Sequence, residues 1–288
     1  MKIKIFCKNY KKILISLAII FVFIITLIFN IIYCHNTINV NRYDINTQKL
    51  KTNLRVAMIS DLHMKDYGNN NEKLVNIIKQ ESPDIITVLG DFTVKESENY
   101  DAVLKLMPRL VNIAPTYYVL GNHELSILDT TNFAEDIKGT GVHLLINESE
   151  YFEKDGEKIL IGGIKQYPYY DFQIPGFENE ERYFIDNFIE KEKDNFGILL
   201  CHYPEYFMWK FNELDIDLML CGHTHGGLIR IPFIGGFIAP EQGLFPEYDM
   251  GYFESDTAKM IVTSGLSTSS IIPRINNPGE VCIIDINK

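Results

Sequence analysis

The stretch from Ile216 to Gly227, IDLMLCGHTHGG, governs the reading of the whole chain. Its first half is an apolar run of the length of a buried strand. Its second half is a turn holding His223 and His225 one residue apart, bracketed by glycines, with almost no side-chain bulk. Neutral imidazole is a common ligand for transition metals, and glycine lets backbone and small ions approach closely. A lone His-x-His is weak evidence, because surface turns carry such pairs by accident. The pair needs partners elsewhere in the chain.

Those partners stand at the ends of other apolar runs. LRVAMIS is followed by Asp61-Leu62-His63, DIITVL by Gly90-Asp91, TYYVL by Gly121-Asn122-His123-Glu124, and FGILLC by His202. Between the first three runs lie NEKLVNIIKQ and DAVLKLMPRLVN, whose apolar residues recur at helical spacing. Strand and helix alternate, which predicts βαβ units and a largely parallel sheet. Ligands of such sheets bind beyond the carboxyl ends of the strands. Singly, each block has a plain structural explanation: Asp61 can cap a turn, Asn122 tolerates a left-handed turn, and His202 can be a satisfied core histidine. Jointly, five blocks of oxygen and imidazole donors, each at a strand end, point to one metal-binding cluster.

The series D-L-H, G-D, G-N-H-E, H and G-H-T-H resembles the calcineurin-like metallophosphoesterase superfamily, with all five blocks in the family's order. The likeness covers the chain from about Leu54 to the C-terminus. It implies an α/β fold, a four-layer α/β/β/α sandwich, with a two-metal centre. Carried over by position, Asp61, His63, Asp91 and His225 hold one ion. Asp91, Asn122, His202 and His223 hold the other, with Asp91 bridging. His123 becomes the catalytic histidine and Glu124 its orienting partner. The segments GHTHGGLIRIPFIGGFIAPEQGLFPEY and GLSTSSIIPRINNPGE resemble a membrane-associated bacterial branch that includes hydrolases of lipid-linked pyrophosphates; STSS replaces a more glycine-rich version there.

The chemistry follows from the donors. Two divalent ions clamp the attacking and leaving oxygens of an in-line displacement and make hydroxide available near neutral pH. Mixed oxygen and nitrogen ligands suit Mn, Fe or Zn better than Mg or Ca. His123 is placed to protonate the leaving oxygen or stabilise its charge. The glycines around His223 and His225 are expected to leave room for the ions and a substrate phosphate.

The 288-residue chain has a formal net charge of -11. That balance argues against a general nucleic-acid partner, which needs a basic face. Cys7, Cys34, Cys201, Cys221 and Cys282 match no disulfide framework. Cys201 and Cys221 read as small buried residues at strand ends rather than a bridge. Residues 13–33, ILISLAIIFVFIITLIFNIIY, carry no charge and are long enough to span a bilayer core as a helix. Lys2, Lys4, Lys8, Lys11 and Lys12 precede them, and the next basic residue is Arg42. This predicts an uncleaved single-pass anchor with its tail, residues 1–12, in the cytoplasm and the domain outside. A cleaved signal peptide is disfavoured, since no small-x-small site follows.

Residues 34–53 read as a linker or edge element and residues 54–288 as the catalytic domain. SEYFEKDGEKILIGGI predicts a hairpin about Asp155-Gly156. Leu228 to Pro246 reads as a hairpin packed on the core, in preference to a membrane-facing lip. Arg274 reads as a surface arginine, in preference to a contact with a second phosphate. Tyr167, Tyr169 and Tyr170 fall in a loop able to line a pocket. The expected protein is a membrane-anchored phosphoesterase acting on a phosphate ester or pyrophosphate, on a small molecule or on a lipid or envelope precursor. A phosphodiesterase for soluble substrates and a silent scaffold are the competing readings.

Overall fold

The computed structural model describes residues 2–95, 97–165, 180–209 and 211–288, and within these the side chains of residues 2–9 and of Trp209 fall outside the description. Tyr167, Tyr169 and Tyr170 lie outside the described residues. The chain begins with helix α1 (Lys2–Asn36), of which Tyr10–Asn36 is long and apolar enough to cross a membrane, its most apolar stretch unburied.

Two six-stranded sheets follow. The first runs in the order β1 (Ile38–Asn46), β16 (Gly279–Asn287), β2 (Leu54–Ile59), β3 (Ile85–Val88), β4 (Thr116–Tyr118) and β5 (His143–Leu144). Strands β2 to β5 are parallel, and β16 is antiparallel to β2. The second runs β14 (Gly251–Glu254), β15 (Ala258–Val262), β9 (Ile216–Cys221), β8 (Phe196–Leu200), β7 (Glu157–Gly163) and β6 (Glu148–Lys154). Residues 34–53, for which linker and edge element stayed open, contain β1, which pairs with β16 over nine residues. The β6–β7 hairpin turns at Asp155 and Gly156, both with positive φ, as the Asp-Gly signal requires.

Alternation along β2 explains the layering. Leu54, Val56 and Met58 enter the core between the sheets, whereas Ala57 and Ile59 face the helices. Helices α2 (Glu72–Glu81) and α3 (Asp101–Val111) cover that outer face with Leu74, Ile78, Leu106 and Leu110. The short helices α4 (Asn122–Leu125) and α5 (Phe133–Gly139) follow β4. On the far side, α6 (Glu180–Glu192) and α7 (Glu205–Trp209) pack Phe184, Phe188 and Phe207 on the second sheet. Three apolar layers between four layers of structure give the expected α/β/β/α sandwich. The central strands β2, β3, β8 and β9 are buried on both faces, which is why they read as nearly continuous apolar runs.

Two expectations are corrected. The 228–246 segment folds into two short hairpins, β10 (Arg230–Ile231) with β11 (Gly235–Gly236), and β12 (Ile238–Ala239) with β13 (Gly243–Leu244). Leu228 and Ala239 are buried, but Phe233, Ile234, Leu244 and Phe245 point into solvent. The aromatic and aliphatic residues at the turns have no core beneath them, so the segment as a whole is not core packing. Arg274 is buried, not on the surface: its guanidinium donates to the carbonyls of Gly265, Ser267, His225 and Ser264. Cys34, Cys201, Cys221 and Cys282 are free thiols.

Candidate metal centre

The carboxyl ends of β2, β3, β4, β8 and β9 come from both sheets and meet at one edge of the sandwich. There the backbone leaves the strands in tight turns. Asp61, His63, Asp91, His223 and His225 all take left-handed backbone, with φ of 55°, 48°, 54°, 71° and 51°. Such values are uncommon for residues with side chains, and their clustering marks a functional site. The turns lace together: Asp61 N–H donates to Gly90 O at 3.0 Å and His63 N–H to Asp91 O at 3.0 Å. Gly90, at φ 81°, allows the next turn to approach, since a Cβ there would stand 2.2 Å from Gly121 N.

Asp61, His63, Asp91, His123, His202, His223 and His225 are all buried. Donor atoms of Asp61, His63 and His225 lie mutually within 4.8 Å, as do those of Asp91, His202 and His223, and those of His63, Asp91 and His123. The first two groups draw on the two ligand sets that the resemblance implies, the first without Asp91 and the second without Asn122. Asp91 stands between them: it groups with His202 and His223 on one side and with His63 on the other, its Oδ2 3.4 Å from His202 Nε2 and 3.6 Å from His123 Nε2. Asn122 joins the second set through Oδ1, 3.2 Å from His202 Nε2.

The imidazoles are aimed by backbone. His202 Nδ1 lies 2.6 Å from Leu89 O, and His225 Nδ1 lies 3.1 Å from Ser267 O. An N–H donated to a carbonyl leaves the lone pair on the other nitrogen, the arrangement that orients histidine ligands. Asp61 Oδ2 accepts from His223 N–H at 3.1 Å, and Asp91 Oδ1 accepts from His123 N–H at 2.9 Å. Several donor atoms of the cluster are left over. Asp61 Oδ1, both nitrogens of His63, His123 Nδ1 and His223 Nε2 are buried with no hydrogen-bond partner among the described residues. Buried polar groups are rarely left so. A set of unbonded oxygen and imidazole donors grouped in this way fits divalent transition ions.

Charge in the cluster is unbalanced without ions. Burial, reinforced by Asp91, pushes the Asp61 carboxyl up to about 7. Burial opposes both charges of the Asp91–His202 pair, but their contact prevails: Asp91 is held well below the carboxylate range and His202 is raised to about 10. Burial pushes His63 down to about 4, and His223 and His225 well below the usual imidazole range. Neutral imidazole is the form that ligates metal.

Glu124 does not bond the His123 ring, whose Nδ1 has no hydrogen-bond partner among the described residues. Its fully buried carboxylate accepts from the N–H groups of Asp91, Phe92, Thr93 and Gly121 and from the Thr93 hydroxyl. It is a clamp between two ligand turns. The glycines of the His-x-His turn also differ from expectation, because protein fills the space beside them. A Cβ on Gly222 would stand 2.1 Å from Ser60 Oγ and 2.8 Å from Asp61 Oδ2, and one on Gly227 would stand 2.5 Å from Gly236 Cα. Two contributors, Tyr203 and Ser267, escaped the sequence reading, and Arg274 was read in another role. Tyr203 lays its ring 4.0 Å from that of His223, centroid to centroid. Ser267 supplies the carbonyl beneath His225, and Arg274 holds that carbonyl. Only Tyr203, next to His202 at a strand end, carried a local signal.

Comparison with known proteins agrees with this geometry. Residues 54–227 match the model of the calcineurin-like phosphoesterase family. An uncharacterised metallophosphoesterase of Campylobacter jejuni, Cj0846, is 27% identical over 97% of this chain and 72% of its own length. The uncharacterised metallophosphoesterase YkuE of Bacillus subtilis is 25% identical over 81% of this chain and 78% of its own. Phosphodiesterase YaeI of Escherichia coli is 28% identical over 56% of each. Among solved structures, TT1561 of Thermus thermophilus superposes with a TM-score of 0.50 at 14% identity, over 74% of this chain and 90% of that one, a likeness of fold alone. A match that spans all five donor blocks, on a sandwich that brings them to one edge, makes this chain a member of the calcineurin-like phosphoesterase family, a metal-dependent phosphoric ester hydrolase.

Proposed function

We propose that the chain is a membrane-anchored phosphoesterase with a dinuclear centre, acting on a phosphate ester or pyrophosphate carried by a lipid or envelope precursor. The observation that carries the dinuclear reading is the pair of buried donor sets on either side of Asp91. Asp61, His63, Asp91 and His225 would hold one ion; Asp91, Asn122, His202 and His223 would hold the other. Manganese, iron and zinc suit this mixed set. Bound there, the ions would supply Lewis-acid activation of a phosphoryl group and of water.

The remaining work falls to the protein. His123 sits at the edge of the cluster, 11% of its side chain exposed, with Nε2 3.6 Å from Asp91 Oδ2. It is placed to hold a proton for the leaving oxygen. Its backbone N–H is tied to Asp91 Oδ1, so ring and bridging carboxylate keep one register. Glu124 holds the Asp91 and Gly121 turns together from behind. Tyr203, half-buried, lays its ring against that of His223.

The lipid-borne substrate is supported by the apolar helix α1 and by the exposed apolar turns that follow His225. The five lysines before the helix favour an outward-facing domain. Rates on acylated and deacylated versions of one pyrophosphate, measured with the full chain in vesicles, test the substrate. Preference for the acylated form is expected. Equal rates, or preference for soluble diesters, would replace this reading with the second one, a phosphodiesterase for soluble substrates, which the name of the relative YaeI favours. Protease added to intact cells is expected to digest the domain; protection until lysis would reverse the topology.

A further inference from the structure

The hairpins after the His-x-His turn carry their largest apolar side chains on the outside. Phe233 and Ile271 are 109% and 101% exposed, the two most open large apolar side chains among the described residues. Ile234, Leu244 and Phe245 are exposed beside them in the hairpins, and Ile272 in the 267–274 loop. Phe233 and Phe245 have φ of 68° and 54°. A turn of that kind ordinarily takes glycine or asparagine. Phe233, held there fully exposed, and Phe245, more than half exposed with its ring edge-on to that of Phe237, answer a demand other than core packing.

These segments are bound to the end of α1. Asn30 and Asn276 form a reciprocal pair: Asn30 Nδ2 donates to Asn276 Oδ1 at 2.8 Å, and Asn276 N–H donates to Asn30 Oδ1 at 2.8 Å. Asn276 Nδ2 also donates to Arg230 O at 3.2 Å, and Arg230 N–H to Ile275 O at 2.9 Å. Asn277 N–H reaches Cys34 Sγ at 3.2 Å. Helix end, first hairpin and loop are therefore one hydrogen-bonded unit. Asn30 lies three residues inside the uncharged stretch that ends at Tyr33, about 4.5 Å along the helix axis. A bilayer spanned by that stretch has its surface at the level of the loop.

We infer that Phe233, Ile234, Leu244, Phe245, Ile271 and Ile272 insert into the interfacial region of the bilayer that α1 spans. The inference rests on the reading of α1 as an anchor. Aromatic and aliphatic side chains on short turns suit that region, where apolar bodies meet the acyl chains and the backbone stays with the headgroups. The docking has a direct consequence for the site. The inserted loop begins at Ser267, whose carbonyl lies beneath His225, and ends at Arg274, which bonds that carbonyl. The metal centre and the lipid contact are thus two ends of one loop, and a phosphate in the headgroup layer approaches the cluster from the docked side.

The test uses the full chain with Trp209, its only tryptophan, changed to Phe. Single tryptophans are introduced as Phe233→Trp or Ile271→Trp, with Tyr151→Trp on β6, at the far edge of the second sheet, as the control. Each is reconstituted in phosphatidylcholine/phosphatidylglycerol vesicles with acyl chains brominated or not, and metal content equal to the parent's certifies the fold. The expected result is flotation with the vesicles, and blue-shifted emission that bromolipid quenches at positions 233 and 271 but not at 151. Flotation without quenching at 233 and 271 overturns the docking and leaves the anchor standing. Blue-shifted but unquenched emission puts a second protein surface on the patch and also overturns it. Failure to float overturns the anchor, and the docking with it.

Discussion

Replacing Glu124 by Gln probes the clamp behind the metal centre. The carboxylate is fully buried and accepts five hydrogen bonds. Oε1 takes Phe92 N–H at 2.8 Å, Thr93 N–H at 2.9 Å and the Thr93 hydroxyl at 3.1 Å. Oε2 takes Asp91 N–H at 2.7 Å and Gly121 N–H at 2.9 Å. A glutamine keeps one oxygen. In its better orientation the amide NH₂ replaces Oε2 and faces two N–H donors. Hydrogen bonds to a charged group contribute about 1.5–3 kcal/mol each, so losing two costs about 3–6 kcal/mol, with donor–donor repulsion added. That is a large share of the ~5–15 kcal/mol that stabilises a typical domain. The lost tethers belong to Asp91 and to the residue before Asn122, so the expected outcome is joint loss of stability and of metal. Urea unfolding of the detergent-solubilised chain, followed by circular dichroism with chelator present, isolates the protein term from ligand stabilisation. Metal analysis is run in parallel without chelator. A stability loss under about 1 kcal/mol with metal content unchanged would refute the clamp.

Asp91→Asn is expected to lower metal content more than His63→Ala, because the Asp91 carboxylate faces both donor sets; an unchanged pair of ions in Asp91→Asn would remove it as the bridge. His123→Ala is expected to keep its metals and lose roughly a hundredfold in turnover; metal content falling in step with activity would make it a ligand. Gly222→Ala forces a methyl against Ser60 Oγ and Asp61 Oδ2 and is expected to cost about 1–3 kcal/mol and to loosen the Asp61 set; wild-type melting and metal content would show that the turn gives way freely. Glu192 is buried beside Asp217, and burial first, then that neighbour, raises its carboxyl to about 9. The folded state therefore keeps a proton that the unfolded chain releases near pH 4.5. Stability is present below that pH and is lost as pH rises toward about 9, by at most about 1.4 kcal/mol per unit. Glu192→Gln is expected to flatten this slope, and equal slopes in wild type and variant would exclude the group as its source.

The sequence by itself determined the candidate donors and the apolar helix, and the order of those donors carried the family resemblance that implied the sandwich. Asp61, Asp91, Asn122, His202 and His223 each follow an apolar run, and a strand's periodicity and its carboxyl end are local properties, legible without knowing the strand's neighbour. Strand ends in an α/β sheet share one edge, so the donors could be gathered before the fold was seen. Tertiary structure alone decided what each atom faces. Glu124 lies next to His123 in sequence, yet its carboxylate bonds residues 31 to 33 positions away. Arg274 looked like a surface cation, and it is buried because four carbonyls from two turns converge on its fork. Gly222 reads as space for an ion, but Ser60 and Asp61, brought from the other sheet, occupy it. Phe233 and Ile271 have the composition of core and the exposure of a surface, since their turns project beyond any layer that could cover them. Residue type and spacing report which side of an element is apolar. They carry no information on which groups distant elements bring opposite, because that depends on sheet order, register and turn geometry summed over the whole chain.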